Sequence, residues 1–148
     1  MKSDQPQPKV NKADTWLTGL VIKGDGRGRT LGWPTANLKL DSGTQRPADG
    51  VYAAWATLAD GVVHQAAVHV GPRPTVADPT TTVEVLLLDF ADRDLYGKLI
   101  SFRVIRRLRD IKKFDDLDQL KQAILTDCQQ TREILGIKKG QLQTDLNS

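Results

Sequence analysis

Short apolar runs with a period of two, separated by turn residues, dominate the chain from Trp16 to Leu108. Such alternation marks strands with one buried face. The runs are Trp16–Lys23, Asn37–Leu40, Val51–Leu58, Val62–Val70, Thr81–Phe90 and Leu99–Leu108, which predicts six strands. Asp60-Gly61 separates the third from the fourth and can adopt the positive-φ conformations of a tight turn, so that pair reads as a hairpin. A loop with Ser42, Gly43, Pro47 and Gly50 precedes the third strand, and Asp92 to Gly97 connects the last two. No helical pattern intervenes. The sheet is therefore expected to be antiparallel and closed, or nearly closed, as a β-barrel.

The period changes after Phe114. Leu117, Leu120, Ile124, Cys128, Thr131 and Leu135 fall on one stripe at 3.6-residue spacing, which predicts one amphipathic α-helix packed on the barrel. Asp115 or Asp116 can cap its start, and Gly136 with Lys138 and Lys139 marks its expected end. Residues 1–13 read as a disordered polar tail and 138–148 as another, which leaves a domain over 14–137.

A chain of 148 residues can bury a core without disulfide staples. The single cysteine, Cys128, cannot form an internal disulfide and is expected to be core packing. No run approaches the roughly 20 apolar residues of a membrane span. The start, Lys2-Ser3-Asp4-Gln5-Pro6, lacks a secretory pattern, so a cytoplasmic protein is expected; a monomer is the expected state. The net charge of +3 is spread among interspersed acids and bases. Arg103, Arg106, Arg107, Arg109, Lys112 and Lys113 form a basic stretch that would suit an oligonucleotide-binding barrel. Only Phe102 and Phe114 lie nearby for base stacking, so nucleic acid is not the expected partner. His64 and His69 read as structural.

Two segments carry candidate chemistry. The first is Gly24-Asp25-Gly26-Arg27-Gly28-Arg29-Thr30-Leu31-Gly32-Trp33-Pro34-Thr35-Ala36-Asn37. Its glycines let backbone N–H groups approach a ligand closely, and its arginines favour an anion. Thr35 and Asn37 present neutral oxygens on one face of an extended chain, as a metal–polyphosphate complex requires. Arg29 stands where a Walker A loop needs glycine, and the dinucleotide fingerprint is likewise incomplete. A glycine-rich hairpin with solvated arginines is the alternative. The second segment is Thr82 to Phe90, where Glu84 is an isolated carboxylate on the face of Leu86 and Leu88. Partial desolvation would raise its pKa toward that of a useful base. A glutamate on the solvated face of an edge strand fits the same spacing.

Taken together, these segments resemble the riboflavin kinase family, the ATP-dependent flavokinases. The resemblance runs from about Trp16 to Leu135 through Leu31-Gly32-Trp33-Pro34-Thr35-Ala36-Asn37, Gly50-Val51-Tyr52, Val70-Gly71-Pro72-Arg73-Pro74-Thr75, Val83-Glu84-Val85, Asp94-Leu95-Tyr96-Gly97, and Leu108-Arg109 leading to Lys113-Phe114-Asp115. It implies a six-stranded antiparallel Greek-key barrel with a carboxy-terminal helix. By the same resemblance Thr35 and Asn37 hold Mg²⁺ and the nucleotide, and Gly24, Arg29 and Gly32 belong to the loop around the ATP phosphates. Leu87 and Tyr96 match positions lining the nucleotide site, and Arg109, Lys112 and Phe114 match positions around the flavin. Glu84 matches the catalytic base for transfer of the γ-phosphoryl group to the riboflavin 5′-hydroxyl. His69, Leu86 and Ile111 depart from the family's usual Asn, His and acidic residue on the flavin side. No residue assigned to phosphoryl transfer is lost. Many bacterial members carry an adenylyltransferase domain ahead of the kinase. The short polar segment before Trp16 cannot supply one, so FMN rather than FAD is the expected product of this chain.

Overall fold

A computed structural model describes residues 15–22, 35–40, 45–71, 82–90 and 94–147. Its strands are β1 (Leu17–Ile22), β2 (Thr35–Leu40), β3 (Gly50–Thr57), β4 (Val63–Val70), β5 (Thr82–Leu87) and β6 (Leu99–Arg109), followed by helix α1 (Leu117–Asn147). The strands close into a barrel in the order β1-β2-β5-β4-β3-β6, and every pairing is antiparallel. The β3-β4-β5 meander with β6 returning beside β3 forms the Greek key. Closure leaves no edge, so Glu84 on β5 is flanked by β2 and β4 and is not on an edge strand.

Alternation divides the wall into two faces. Leu38, Leu40, Tyr52, Ala54, Val68, Val83, Val85, Leu87, Ile100 and Phe102 point inward and fill the barrel. Alanines on β3 and β4 and Gly19 on β1 leave room for these larger side chains. A Cβ at Gly19 would lie 2.9 Å from the Leu38 Cβ and 3.1 Å from the Lys39 carbonyl oxygen. The odd-numbered residues of β3 and the outer residues of β4 and β5 face α1. Ala53 and Trp55 pack with Leu135, whereas Ala67, Leu86 and Leu88 pack with Cys128 and Ile124.

Asp116 is the residue that caps α1, accepting from the Gln119 N–H at 2.8 Å. Cys128, Thr131 and Leu135 are buried as the stripe predicts, but Leu117 is 58% exposed. The far end differs from expectation. The helix continues through Gly136 to Asn147, across the stretch from Lys138 expected to be a tail. Gly136 and Gly140 both lie inside it, and each costs about 1 kcal/mol relative to alanine, which weakens a helix without ending it. Lys138, Lys139, Gln141, Leu142 and Gln143 are all good helix formers.

Candidate functional site

One rung of the barrel sets four polar residues and a valine in a row on the outer face. Asn37 on β2 pairs in register with Glu84 on β5, Glu84 with His69 on β4, His69 with Val51 on β3, and Val51 with Arg109 on β6. Residues directly opposite in an antiparallel sheet share a face, so these side chains form one row across five neighbouring strands. Residues far apart in sequence are thereby set side by side.

A cavity of about 760 Å³ opens against this row. Thr35, Val51, Ala67, His69, Glu84 and Leu86 form its barrel wall. Residues 111–116 cross it as a roof, and Leu117, Leu120, Ile124 and Asp127 of α1 close the remaining side. The helix stripe thus serves two purposes. Its carboxy-terminal half is core, while Leu117, Leu120 and Ile124 are cavity wall, which explains why Leu117 is exposed on an apolar stripe.

Arg109 organises the junction of wall, roof and helix. Its Nε donates to Asp127 Oδ1 and its Nη2 to Asp127 Oδ2, both at 2.8 Å. Nη1 donates to the Asp110 carbonyl at 3.1 Å, and the guanidinium lies 5.6 Å from the centre of the Phe114 ring. The Lys112 ammonium approaches the same ring at 5.8 Å. This part-buried bidentate pair neutralises the Arg109 charge at the base of the roof. That side of the cavity is suited to a flat, uncharged group resting against Ile111, Phe114, Leu117 and Leu120.

The expected site residues divide as follows. Glu84 and Thr35 line the cavity, and Asn37 lies on the same outer face beside Glu84, two residues along β2 from Thr35. Arg109, Lys112 and Phe114 are brought together on the roof side. Tyr96 is 58% exposed in the turn whose Gly97 N–H donates to the Val21 carbonyl, across β2 and β1 from Glu84. Leu87 is 1% exposed, with its side chain packed inside the barrel on the face opposite Glu84 and Leu86. The alternation that sets Glu84 with Leu86 requires this. Gly24, Arg29 and Gly32 lie outside the described residues.

Two functional candidates escaped the sequence reading. Asp127, 4% exposed, interrupts the apolar helix stripe between Ile124 and Cys128, and that charge on a buried face was the available signal. His69 is brought beside Glu84 only by strand register, which nothing local encodes. Cys128 behaves as expected of core packing, since burial pushes its thiol pKa above the ordinary value. No described helix is long and apolar enough to cross a membrane.

Comparison with known proteins bears on this arrangement. The riboflavin kinase family model matches residues 12–135. The bifunctional riboflavin kinase/FMN adenylyltransferase of Escherichia coli (strain K12) is 38% identical over 123 residues, covering 83% of this chain and 39% of that protein. This chain therefore spans about two fifths of that relative. The riboflavin kinase of Homo sapiens is 33% identical over 121 residues, covering 79% of this chain and 78% of the human protein. The crystal structure of riboflavin kinase from Trypanosoma brucei superposes with a TM-score of 0.65 at 28% identity, covering 86% of this chain and 82% of that one. On the family match over residues 12–135 and the 33% identity to the human enzyme across 78% of its length, the chain belongs to the riboflavin kinase family.

Proposed function

We propose that this protein transfers the γ-phosphoryl group of ATP to the 5′-hydroxyl of riboflavin, giving FMN and ADP, as a cytoplasmic monomer. The observation that carries the reading is the rung. It sets Glu84 between Asn37 and His69, on the wall of a cavity that Leu117, Leu120 and Ile124 of α1 face from the other side beneath residues 111–116.

Each component has a physical task. Phosphoryl transfer to an alcohol is dominated by in-line positioning and by neutralising charge on the phosphates. The apolar wall of Leu86, Leu117, Leu120 and Ile124, with Phe114 above, accepts the isoalloxazine ring and excludes water from it. The ribityl chain then extends toward Glu84, whose carboxylate oxygen takes the 5′-hydroxyl proton as that oxygen bonds to the γ-phosphorus and the bond to ADP breaks. Thr35 and Asn37 bind the nucleotide on the neighbouring strand, with Gly24, Arg29 and Gly32 of the glycine-rich segment before it assigned to its phosphates.

Mg²⁺ fits this donor set. Among the described residues no group of His, Cys, Asp and Glu is placed to hold a metal by itself. Neutral oxygens of Thr35 and Asn37 bind a divalent ion weakly alone and suit one delivered with the nucleotide. Bound there, the ion would draw negative charge from the transferring phosphate.

The test is to incubate purified protein with riboflavin, ATP and Mg²⁺ and to resolve the flavins by chromatography. FMN formed in step with ADP is expected. Riboflavin binding without FMN would reduce the protein to a flavin-binding module.

A further inference from the structure

The reading above leaves one buried charge without a role. Asp127 is held by helix packing on the barrel, yet its carboxylate points into the cavity wall and both oxygens engage Arg109. Arg109 in turn reaches the roof, through the Asp110 carbonyl and the face of Phe114. Three separate pieces of chain, the end of β6, the roof and α1, therefore meet at one guanidinium.

Resting on the riboflavin kinase reading, we propose that Asp127 is a positioning residue for the flavin: it acts through Arg109 to hold residues 110–116 over the cavity. Among the described residues two other ion pairs lie near this region, and neither can substitute. Arg132 meets Asp89 at 2.9 Å, but both side chains are half or more exposed, so water competes with that pair. Arg107 meets Asp110 at 2.8 Å, again in solvent and without touching the helix. Among the ion pairs of the described residues, Arg109–Asp127 is the most shielded, at 26% and 6% side-chain exposure, and it joins α1 to the end of β6 where the roof begins.

The chemistry makes Asp127 hard to replace. Asparagine keeps the shape and can accept one N–H, but its amide nitrogen would face Nη2, donor against donor. The guanidinium would then turn, and Phe114 would lose the plane on which it rests. The nucleotide side lies across the wall at Thr35 and Asn37 and does not depend on this junction.

A double-mutant cycle on the full chain tests this, with riboflavin and Mg·ADP affinities read by flavin fluorescence and calorimetry. Asp127→Asn is expected to weaken riboflavin binding about ten- to a hundredfold, the worth of one charge-assisted hydrogen bond, with Mg·ADP affinity unchanged. Arg109→Gln should do the same, and the double variant no worse than Arg109→Gln, because both act through one contact. Wild-type riboflavin affinity in Asp127→Asn, additive losses, or equal losses of flavin and nucleotide affinity would each overturn the proposal. Should Asp127→Asn alone fail to fold, the comparison of the double variant with Arg109→Gln decides: equal affinity supports the role, lower affinity overturns it. If the wild-type protein binds no riboflavin, the kinase reading falls instead. Amide exchange over 110–116 then tests the hold directly, faster exchange in Asp127→Asn supporting it and unchanged exchange refuting it.

Discussion

Replacing Leu87 by alanine distinguishes a barrel-core residue from a nucleotide-facing one. Leu87 is 1% exposed among the inward side chains of the barrel, so its truncation leaves a void that the closed wall cannot collapse to fill. Leu→Ala changes of this kind cost about 2–5 kcal/mol, and a value near 3 is reasonable for so confined a site. Unfolding entropy of about 2.1 cal/mol/K per residue gives roughly 0.3 kcal/mol/K for 148 residues. Each kcal/mol then lowers Tm by about 3 °C, and Leu87→Ala by about 10 °C. Thermal unfolding by circular dichroism supplies the Tm, and steady-state kinetics below the transition supply the KM for Mg·ATP. The KM should be unchanged. The neighbouring Leu86→Ala provides the contrast, since Leu86 lines the cavity and its loss should raise the KM for riboflavin. An unchanged Tm with a raised ATP KM in Leu87→Ala would return Leu87 to the nucleotide site and refute the assignment of faces.

Thr35→Ala and Asn37→Ala should each raise the KM for Mg·ATP and lower kcat while leaving riboflavin affinity intact, as flavin fluorescence titration would show. Gly19→Ala forces a methyl against the Leu38 Cβ at 2.9 Å and should destabilise by about 1–3 kcal/mol, visible as a lowered Tm. Burial raises the Cys128 pKa in the folded state, so the unfolded chain releases this proton first as pH rises. Its contribution to stability is therefore full below the unfolded thiol pKa and is lost as pH climbs through the folded one. Urea melts of wild type and Cys128→Val should accordingly run parallel near neutrality and diverge at alkaline pH, with only wild type losing the extra stability.

Much of the fold was legible because its signals are local. Period-two alternation located all six strands to within a few residues, Asp60-Gly61 marked the β3–β4 turn, and the stripe from Leu117 to Leu135 marked α1. Glu84 stood out as an isolated charge on an apolar strand, and Thr35 and Asn37 as paired oxygen donors after the glycine-rich segment. What sequence could not supply was register. Nothing near His69, Glu84 or Asn37 says that they become neighbours across three strands, because that depends on barrel closure. Asp127 was passed over because helical periodicity was read from apolar positions alone. Leu87 was assigned to the nucleotide site by resemblance, although the alternation already placed it opposite Glu84. The end of α1 was misjudged because Gly136 was read as a stop, while the flanking helix formers carry the helix past it.

The central claim is that Glu84 is the base of the transfer step, and single-turnover FMN formation in Glu84→Gln tests it most directly. The amide preserves the side chain's size but can no longer take the hydroxyl proton. With riboflavin affinity measured on the same samples and unchanged, the rate of FMN formation should fall by roughly 10²–10⁴-fold, the usual contribution of a general base. A near-wild-type rate with saturated flavin would contradict the account and leave Glu84 as a polar residue on the barrel's outer face.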